Sequence, residues 1–492
     1  MAFRLSNYLL VGLLPLLAGC DGVPVTGQSA EESTYKGTQS ESVASAAYAG
    51  GNNILIVSYN DDTEDGKVDY TPTDRIVFPG ASLLGWSYSR DNGKSWKYGG
   101  KVKPPAGYDA LWGDPSIVTS SAAYNRVYIA SLAIGAGKIA PSGHHGWLDD
   151  GSITGACVAR SDDGGVHFAI QSCMSSGGDF YDGSTMASGF GSDRRIFTAF
   201  VDVPKDRIDV WQSADGIASF QQLPNPFPGK LMISHPRLAY DRDTGALLVA
   251  AIENGSQVIW MARLVGNQWQ PPKIVSLATT RIDIPVAGQT IRMAYGFSFD
   301  VGAQSNIEVD DQLKFFDDAI RLLYTTRDSA TGRIYVRGSA CSRDLAVCKD
   351  MPQWGTTPGN LNTPRNQWNP TVKAWRGFIG LPPVWKATYQ TTDDNPDRIA
   401  IKSGSLARLS NGIPLYLPFP LIGPRIVCPD YRQGSAGSAK GGYWGDYDDA
   451  AHIGFDGITP QFLLPYTDSS KGCLSQWKFI SNHVHVSAVV YK

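Results

Sequence analysis

The sequence predicts an all-β protein assembled from repeated four-stranded antiparallel units. Three observations carry that expectation. Of 492 residues, 53 are glycine and 30 proline, beside 22 Tyr, 18 Phe and 13 Trp, the profile of many short strands joined by turns. A turn motif recurs: residues 89–96 read SRDNGKSW and residues 161–168 read SDDGGVHF. An entry motif recurs upstream of the turns: WGDPSIV (112–118), YDGSTMA (181–187), SHPRLAY (234–240), WNPTVKA (368–374) and WGDYDDA (444–450). Most entries are followed by an apolar run such as RVYIASL, RIFTAF or ALLVAAI. The order within a unit is an innermost strand, a second, a third, the turn motif and an outer strand. Such units arranged in a ring make a β-propeller.

A chain of this length exceeds one ordinary core unless that core is built from repeats. Charged residues make up 18% and hydrophobic ones 42%, which excludes a disordered polyelectrolyte and a polytopic membrane protein. A net charge of −3 gives no electrostatic reason to hold a phosphate backbone, so nucleic acid is not an expected partner.

The first residues read as an address. Arg4 precedes an apolar run from Tyr8 to Leu17, too short to span a bilayer and suited to a signal peptide. Leu17-Ala18-Gly19-Cys20 resembles the bacterial lipobox, which implies cleavage before Cys20 and lipidation of its thiol. Asp21 resembles an inner-membrane retention signal of some Gram-negative lipoproteins. The expected organisation is a signal peptide over 1–19, a flexible tether over 20–40 and one propeller domain over 41–492. The expected protein is an exported, membrane-anchored lipoprotein, periplasmic or at the cell surface, touching the membrane only through its lipid and acting as a monomer.

Units are counted near 41–100, 112–172, 181–224, 235–277, 290–350, 368–422 and 444–492. Seven blades fit best; six is the alternative, because the fifth unit is poorly bounded. Six cysteines remain besides Cys20, an even number suited to an oxidising compartment. Cys157 and Cys173 flank the turn around Asp163 almost symmetrically, and Cys341 and Cys348 flank another turn, which leaves Cys428 with Cys473. No Cys/His cluster has zinc spacing.

In the turn motif, Ser89, Asp91, Gly93 and Trp96 match Ser161, Asp163, Gly165 and Phe168. Asp can cap backbone N–H groups, Gly accepts φ > 0 and the aromatic pins the hairpin. Degraded copies begin at Ser213-Ala214-Asp215 and Ser342-Arg343-Asp344. The motif resembles the Asp box, or BNR repeat, of the sialidase-like β-propellers. The resemblance implies that the turns are structural and lie at one end of the ring, that His167 inside a turn is not catalytic, and that a site occupies the opposite, upper end.

At that upper end the entry motifs bring Asp114, Asp182, His235, Asn369 and Asp446 around the central mouth. They are read either as caps of strand entry or as a ring that grips a glycan or holds Ca²⁺. No cofactor is otherwise called for. The loop over 137–151 carries His144, His145, Trp147 and Asp149, residue types that do acid/base work or stack on sugars. Tyr181, Arg237 and Tyr447 add a phenol, a carboxylate clamp and a second phenol. The acidic loop NDDTEDG (60–66) reads as solvated, with Ca²⁺ binding through Asp61, Asp62 and Asp65 as the other reading.

The sialidase pattern is incomplete. Sialidases carry an R-I-P signature, an arginine triad, an Asp acid/base and a Tyr–Glu pair. The nearest string here is DRIVFPG (74–80), with Arg75 four residues before Pro79, and no Tyr–Glu pair is assigned. The resemblance therefore implies the fold without the sialidase activity. Three functions stay open: a sialidase-like glycoside hydrolase with Asp114, Asp182 or Asp149 as acid/base; a polysaccharide lyase using His145, Tyr181 and Arg237 on a uronate; and a non-catalytic propeller binding glycan or protein. The expected ligand in each enzyme reading is a carbohydrate, potentially anionic.

Overall fold

The computed structural model describes residues 23–25, 39–61, 68–70, 75–145, 153–175, 177, 180–216, 219–233, 236–286, 289–302, 320–351, 366–375, 384–391, 398–408, 414–416, 421–426, 441–443, 451–456, 459–468 and 483–490. They form strands almost throughout, joined mostly into antiparallel sheets of strands close in sequence, with Gln289–Tyr295 also pairing in parallel with Gly441–Tyr443. The first sheet contains Gln39–Ala49, Asn52–Asp61, Leu84–Ser89 and Lys97–Lys101. The second contains Tyr108–Thr119, Val127–Gly135, Ile153–Ser161 and Ala169–Met174. The third contains Tyr181–Ser188, Arg195–Asp202, Arg207–Ala214 and Gln221–Gln222.

The fourth sheet runs from Arg237–Asp241 through Ala246–Ile252 to Ile259–Val265, whose outer edge takes both Gln268–Trp269 and Lys273–Ile274. The fifth spans Phe297–Val301 to Cys348–Met351 and the sixth Gln367–Trp375 to Leu421–Ile426. The last contains Ala451–Asp456, Thr459–Asp468 and His483–Val490.

Second strands are the most deeply buried because both of their faces are covered. Val127–Gly135 and Ala246–Ile252 are buried throughout, the pattern of a sheet sandwiched between two others. The core is correspondingly divided into slabs between neighbours. One slab joins the first and second sheets through Ile56, Trp86, Ile129 and Cys157. Another joins the second and third through Trp112, Tyr128, Tyr181 and Phe200. The series continues from third to fourth through Phe197 and Val249, fourth to fifth through Leu248 and Leu322, and fifth to sixth through Leu323 and Trp385. Gln39–Ala49, the innermost strand of the first sheet, also lies against the strands of the last, so the series closes. The chain is a β-propeller.

The turn motif joins third and outer strands at the lower end, as its spacing implies. Ser161 Oγ donates to Asp163 Oδ1 (2.7 Å) and accepts from the N–H of Gly165 (2.9 Å), while Asp163 Oδ1 accepts from the N–H groups of Val166 and His167 (3.0 and 3.1 Å). Ser89 and Asp91 repeat this at Gly93 and Ser95, at 2.8 and 2.9 Å. Gly165 has φ +89°, and a Cβ there would meet Ile56 of the first sheet at 2.5 Å. The motif glycine is thus required both by its own backbone and by the neighbouring sheet. Phe168 meets Trp86 edge to face across the same junction (5.3 Å between centroids).

The degraded copies use their polar groups differently. Asp215 turns away from its own loop: its carboxylate accepts from Tyr128 Oη (2.8 Å) and from Arg126 Nη1 (2.9 Å), both in the second sheet. At the copy starting with Ser342, Leu345 takes the positive φ (61°). There Arg343 reaches back to the fourth sheet, pairing with Asp241 and with Asp243 (3.0 Å).

Two of the three expected disulfides are present. Cys157 and Cys173 are direct register partners on third and outer strands, with Cα atoms 4.0 Å apart. Cys341 and Cys348 are likewise partners at 4.1 Å. Cys428, Cys473 and Cys20 lie outside the described residues. Val23–Val25, inside the segment read as a flexible tether, is instead a strand paired antiparallel with His483–Val490. Valine favours extended backbone, and proline is tolerated in an edge strand of this kind.

The turns also make the fold acid-sensitive. Burial opposes ionisation of Asp91, yet hydrogen bonds from the Ser95 hydroxyl and N–H and the Ser89 hydroxyl hold it at about 2. Asp163 is lowered in the same way: burial opposes, and the Ser161 hydroxyl and His167 outweigh it. A carboxylate depressed in the folded state contributes stability above its unfolded pKa and loses it as pH falls through the folded value. The thermal midpoint is therefore expected to be flat above about pH 5 and to fall between about pH 4 and pH 2. Asp91→Asn/Asp163→Asn should flatten that fall. An unchanged acid limb in the double variant would assign acid sensitivity to other carboxylates.

Candidate functional site

Innermost strands start at the upper end, and there the structure adds something periodicity alone does not reveal. A register shift interrupts the innermost strand of the first, second, third and sixth sheets, between Ser40 and Val43, Gly113 and Ser116, Asp182 and Thr185, and Trp368 and Thr371. In three of them the shift contains a residue of positive φ: Asp114 (50°), Gly183 (53°) and Asn369 (49°). Such a bulge re-aims side chains at a sheet rim.

Asp114 and Asp182 are brought together, but at non-equivalent positions. Asp114 matches Gly183 and Asn369; Asp182 stands one residue earlier. The N–H of Gly183 donates to Asp182 Oδ1 (2.9 Å) and to Asp114 Oδ2 (3.3 Å). Two partly exposed carboxylates from adjacent sheets thus share one amide. The main chain of Asp114 is fixed as well. Its N–H donates to Asn60 Oδ1 of the first sheet (2.7 Å), and its carbonyl accepts from Ser184 Oγ of the third. Three sheets converge on this residue.

The second-to-third-strand connections of the first two sheets build a wall at the same end. Val68–Tyr70, Arg75–Val77 and His144–His145 form a small antiparallel sheet, with His145 opposite Ile76 and His144 opposite Val77. The segment after it is laced to the second sheet by Leu83 N–H to Leu111 O (2.9 Å) and Leu111 N–H to Ala81 O (3.1 Å). His144 and His145 therefore sit on a strand, where a loop was expected.

Several candidates stand elsewhere. Tyr181 is fully buried, edge to face with Phe200 at 4.7 Å; it is a core residue and does not present its ring at the mouth. Trp112 and Trp368 precede the bulge as Tyr181 does and are buried too, so the recurring aromatic was a legible core signal. Arg237 braces the fourth sheet against the fifth, its Nε donating to Phe297 O (3.3 Å) and its guanidinium lying 6.0 Å from the Phe297 ring centre. Asp61 is fully buried and accepts from Tyr98 Oη (2.8 Å), with Gly85 leaving room for its side chain; it belongs to the first sheet and not to a solvated or Ca²⁺-binding loop. Trp147, Asp149, His235, Asp446 and Tyr447 lie outside the described residues, as do Asp62 and Asp65. Among the described residues, no group of three or more His, Cys, Asp or Glu is arranged to hold a metal ion.

The residues the motifs missed are at the upper rim of the third sheet. Lys205 donates to buried Asp202 (2.8 Å), and Arg207 to buried Asp209 (Nε–Oδ1 2.7 Å, Nη2–Oδ2 3.1 Å). The cations are partly exposed while both carboxylates are buried, so the cations are the solvent-facing members of both pairs. The alternation of VDVPKDRIDV (201–210), with Asp202, Arg207 and Asp209 on one face of the sheet, carried that information.

No family model and no curated protein matches the chain. Among solved structures it is similar to the BP39L lectin of Burkholderia pseudomallei, at 14% identity over 92% of this chain and 97% of that one, with a TM-score of 0.48. It is similar to an α-L-arabinanase of Penicillium chrysogenum complexed with arabinobiose, at 11% identity over 95% and 98% of the two chains and a TM-score of 0.42. It is also similar to a polysaccharide lyase described as an ulvan lyase, at 9% identity over 92% and 95%, with a TM-score of 0.44. The fold assignment rests on sheet order and register within the chain itself.

Proposed function

We propose that the protein is a glycoside hydrolase of the Asp-box, sialidase-like propeller superfamily, with seven blades, acting on an extracellular or envelope glycan. The observation that carries this reading is the carboxylate pair of Asp114 and Asp182 on the Gly183 amide. Glycosidic bonds are cleaved by two carboxyl groups, one giving and taking the proton and the other facing the developing cation or activating water. Asp182 is assigned the proton transfer. Asp114, whose main chain is held by Asn60 and Ser184, is assigned the fixed partner. The wall bearing His144 and His145 bounds the site on the side of the first two sheets.

The capped turns at Asp91 and Asp163 support the superfamily. The sheets described above, with the last closing on the first, support seven blades. Two disulfides suit an oxidising compartment, in keeping with export as a lipoprotein through Cys20. The lyase reading is weaker, because Tyr181 is a core residue and Arg237 is engaged between sheets.

Product analysis tests the proposal. Incubation with a panel of plant, algal and bacterial polysaccharides is expected to release reducing ends without ultraviolet-absorbing unsaturated sugars. Unsaturated products would transfer the protein to the lyases, and binding without turnover would make it a lectin-like propeller.

A further inference from the structure

The lower end carries a second feature, independent of the upper site. Among the described residues, the aromatic side chains more than a third exposed are Tyr48 (53%), Tyr124 (59%) and Phe190 (40%). All three lie at the connection from innermost to second strand, in the first, second and third sheets respectively. Chance exposure would scatter them over both ends and all edges.

The connections are joined into one arc. The N–H of Tyr48 donates to Tyr124 O (2.8 Å). Ser121 donates from N–H to Ser188 Oγ (3.2 Å) and from its hydroxyl to Gly189 O, next to Phe190. Arg242 of the fourth sheet stacks over the Phe190 ring at 4.7 Å. The loops are short and internally hydrogen-bonded, with Ala122 and Ala123 N–H both donating to Ser120 Oγ (3.1 Å each). The rings are therefore presented on fixed backbone, and little conformational freedom remains to be lost on binding.

We propose that this arc binds glycan, as a platform separate from the upper mouth. The rings do not merge into an apolar patch. In or beside the same connections stand Asn52, Ser121, Asn125 and Arg126, all at least partly exposed, with Asn125 and Arg126 held by Asp162 and Ser121 by Gly189. A protein partner's core requires continuous apolar surface, whereas a pyranose or furanose alternates C–H faces with hydroxyls. Single aromatic faces set among amide, hydroxyl and guanidinium groups match that alternation. The position, opposite the upper mouth, suits retention of a polymeric or surface-bound glycan without occupying the upper site.

Co-sedimentation with insoluble chitin, cellulose and xylan tests the platform. The wild-type chain is expected to be retained by at least one of them. Tyr48→Ala/Tyr124→Ala should weaken retention about tenfold, on the scale of two lost ring contacts, whereas Asp182→Asn should leave retention unchanged. Both tyrosines are exposed, and an unaltered thermal midpoint in the double variant excludes misfolding. Retention of wild type by none of the three, or equal retention of the double variant, would overturn the proposal. So would a concentration-dependent dimer abolished by the same substitutions, which would make the arc an interface between copies.

Discussion

Asp182→Asn is expected to lower turnover by about 10²–10⁴-fold with little change in stability, the range for loss of a positioned proton donor or acceptor. Its carboxylate is partly exposed and accepts from the Gly183 N–H, a bond the amide oxygen of Asn can still accept. Asp114→Asn should lose activity similarly and also keep its stability, because its bonds to Asn60 and Ser184 use the main chain and an amide oxygen can still accept from the Gly183 N–H. In both variants the thermal midpoint should stay unchanged while turnover falls. If both retain full turnover on a substrate the wild type cleaves, the carboxylate pair is only a strand-entry cap.

The largest stability effect is expected at Arg343. Its guanidinium is 8% exposed and pairs with Asp241, 1% exposed, and with Asp243; Arg343 Nη2 also donates to Gly302 O (3.1 Å). Replacement by Met keeps most of the apolar stem and leaves Asp241 buried without its cation. Breaking a buried pair from one side costs about 3–5 kcal/mol. The urea midpoint of Arg343→Met should fall accordingly, and Arg343→Met/Asp241→Asn should recover part of the loss. A single variant unfolding with the wild type would show that Thr244 and the Asp243 N–H, which also bond Asp241, suffice.

What could be read from sequence followed the range of the interaction. The turns at Ser89 and Ser161 are closed by groups within eight residues of each other, so type and spacing disclosed their geometry. Cys157 and Cys173 flank such a turn, so their pairing followed. The entry motifs were only half legible. Asp114 and Asn369 precede proline, and the positive φ falls on them; in the third sheet glycine takes that conformation at 183 and displaces Asp182 by one position. The strand pairing of His145 with Ile76 joins insertions of two different sheets, and no local pattern announces it. Arg343 illustrates the same limit: its carboxylate partners are about a hundred residues away, and no local pattern announces them.

The last sheet has a consequence for how the ring closes during folding. Val23–Val25 precedes every other described strand and His483–Val490 follows them, and the two pair with each other. The entropic cost of joining two points on a chain grows only logarithmically with the length between them, and folded intervening sheets shorten that length further. The pairing is a clasp between distant parts of the chain, and loss of Val23–Val25 would leave His483–Val490 as the outer edge of the last sheet.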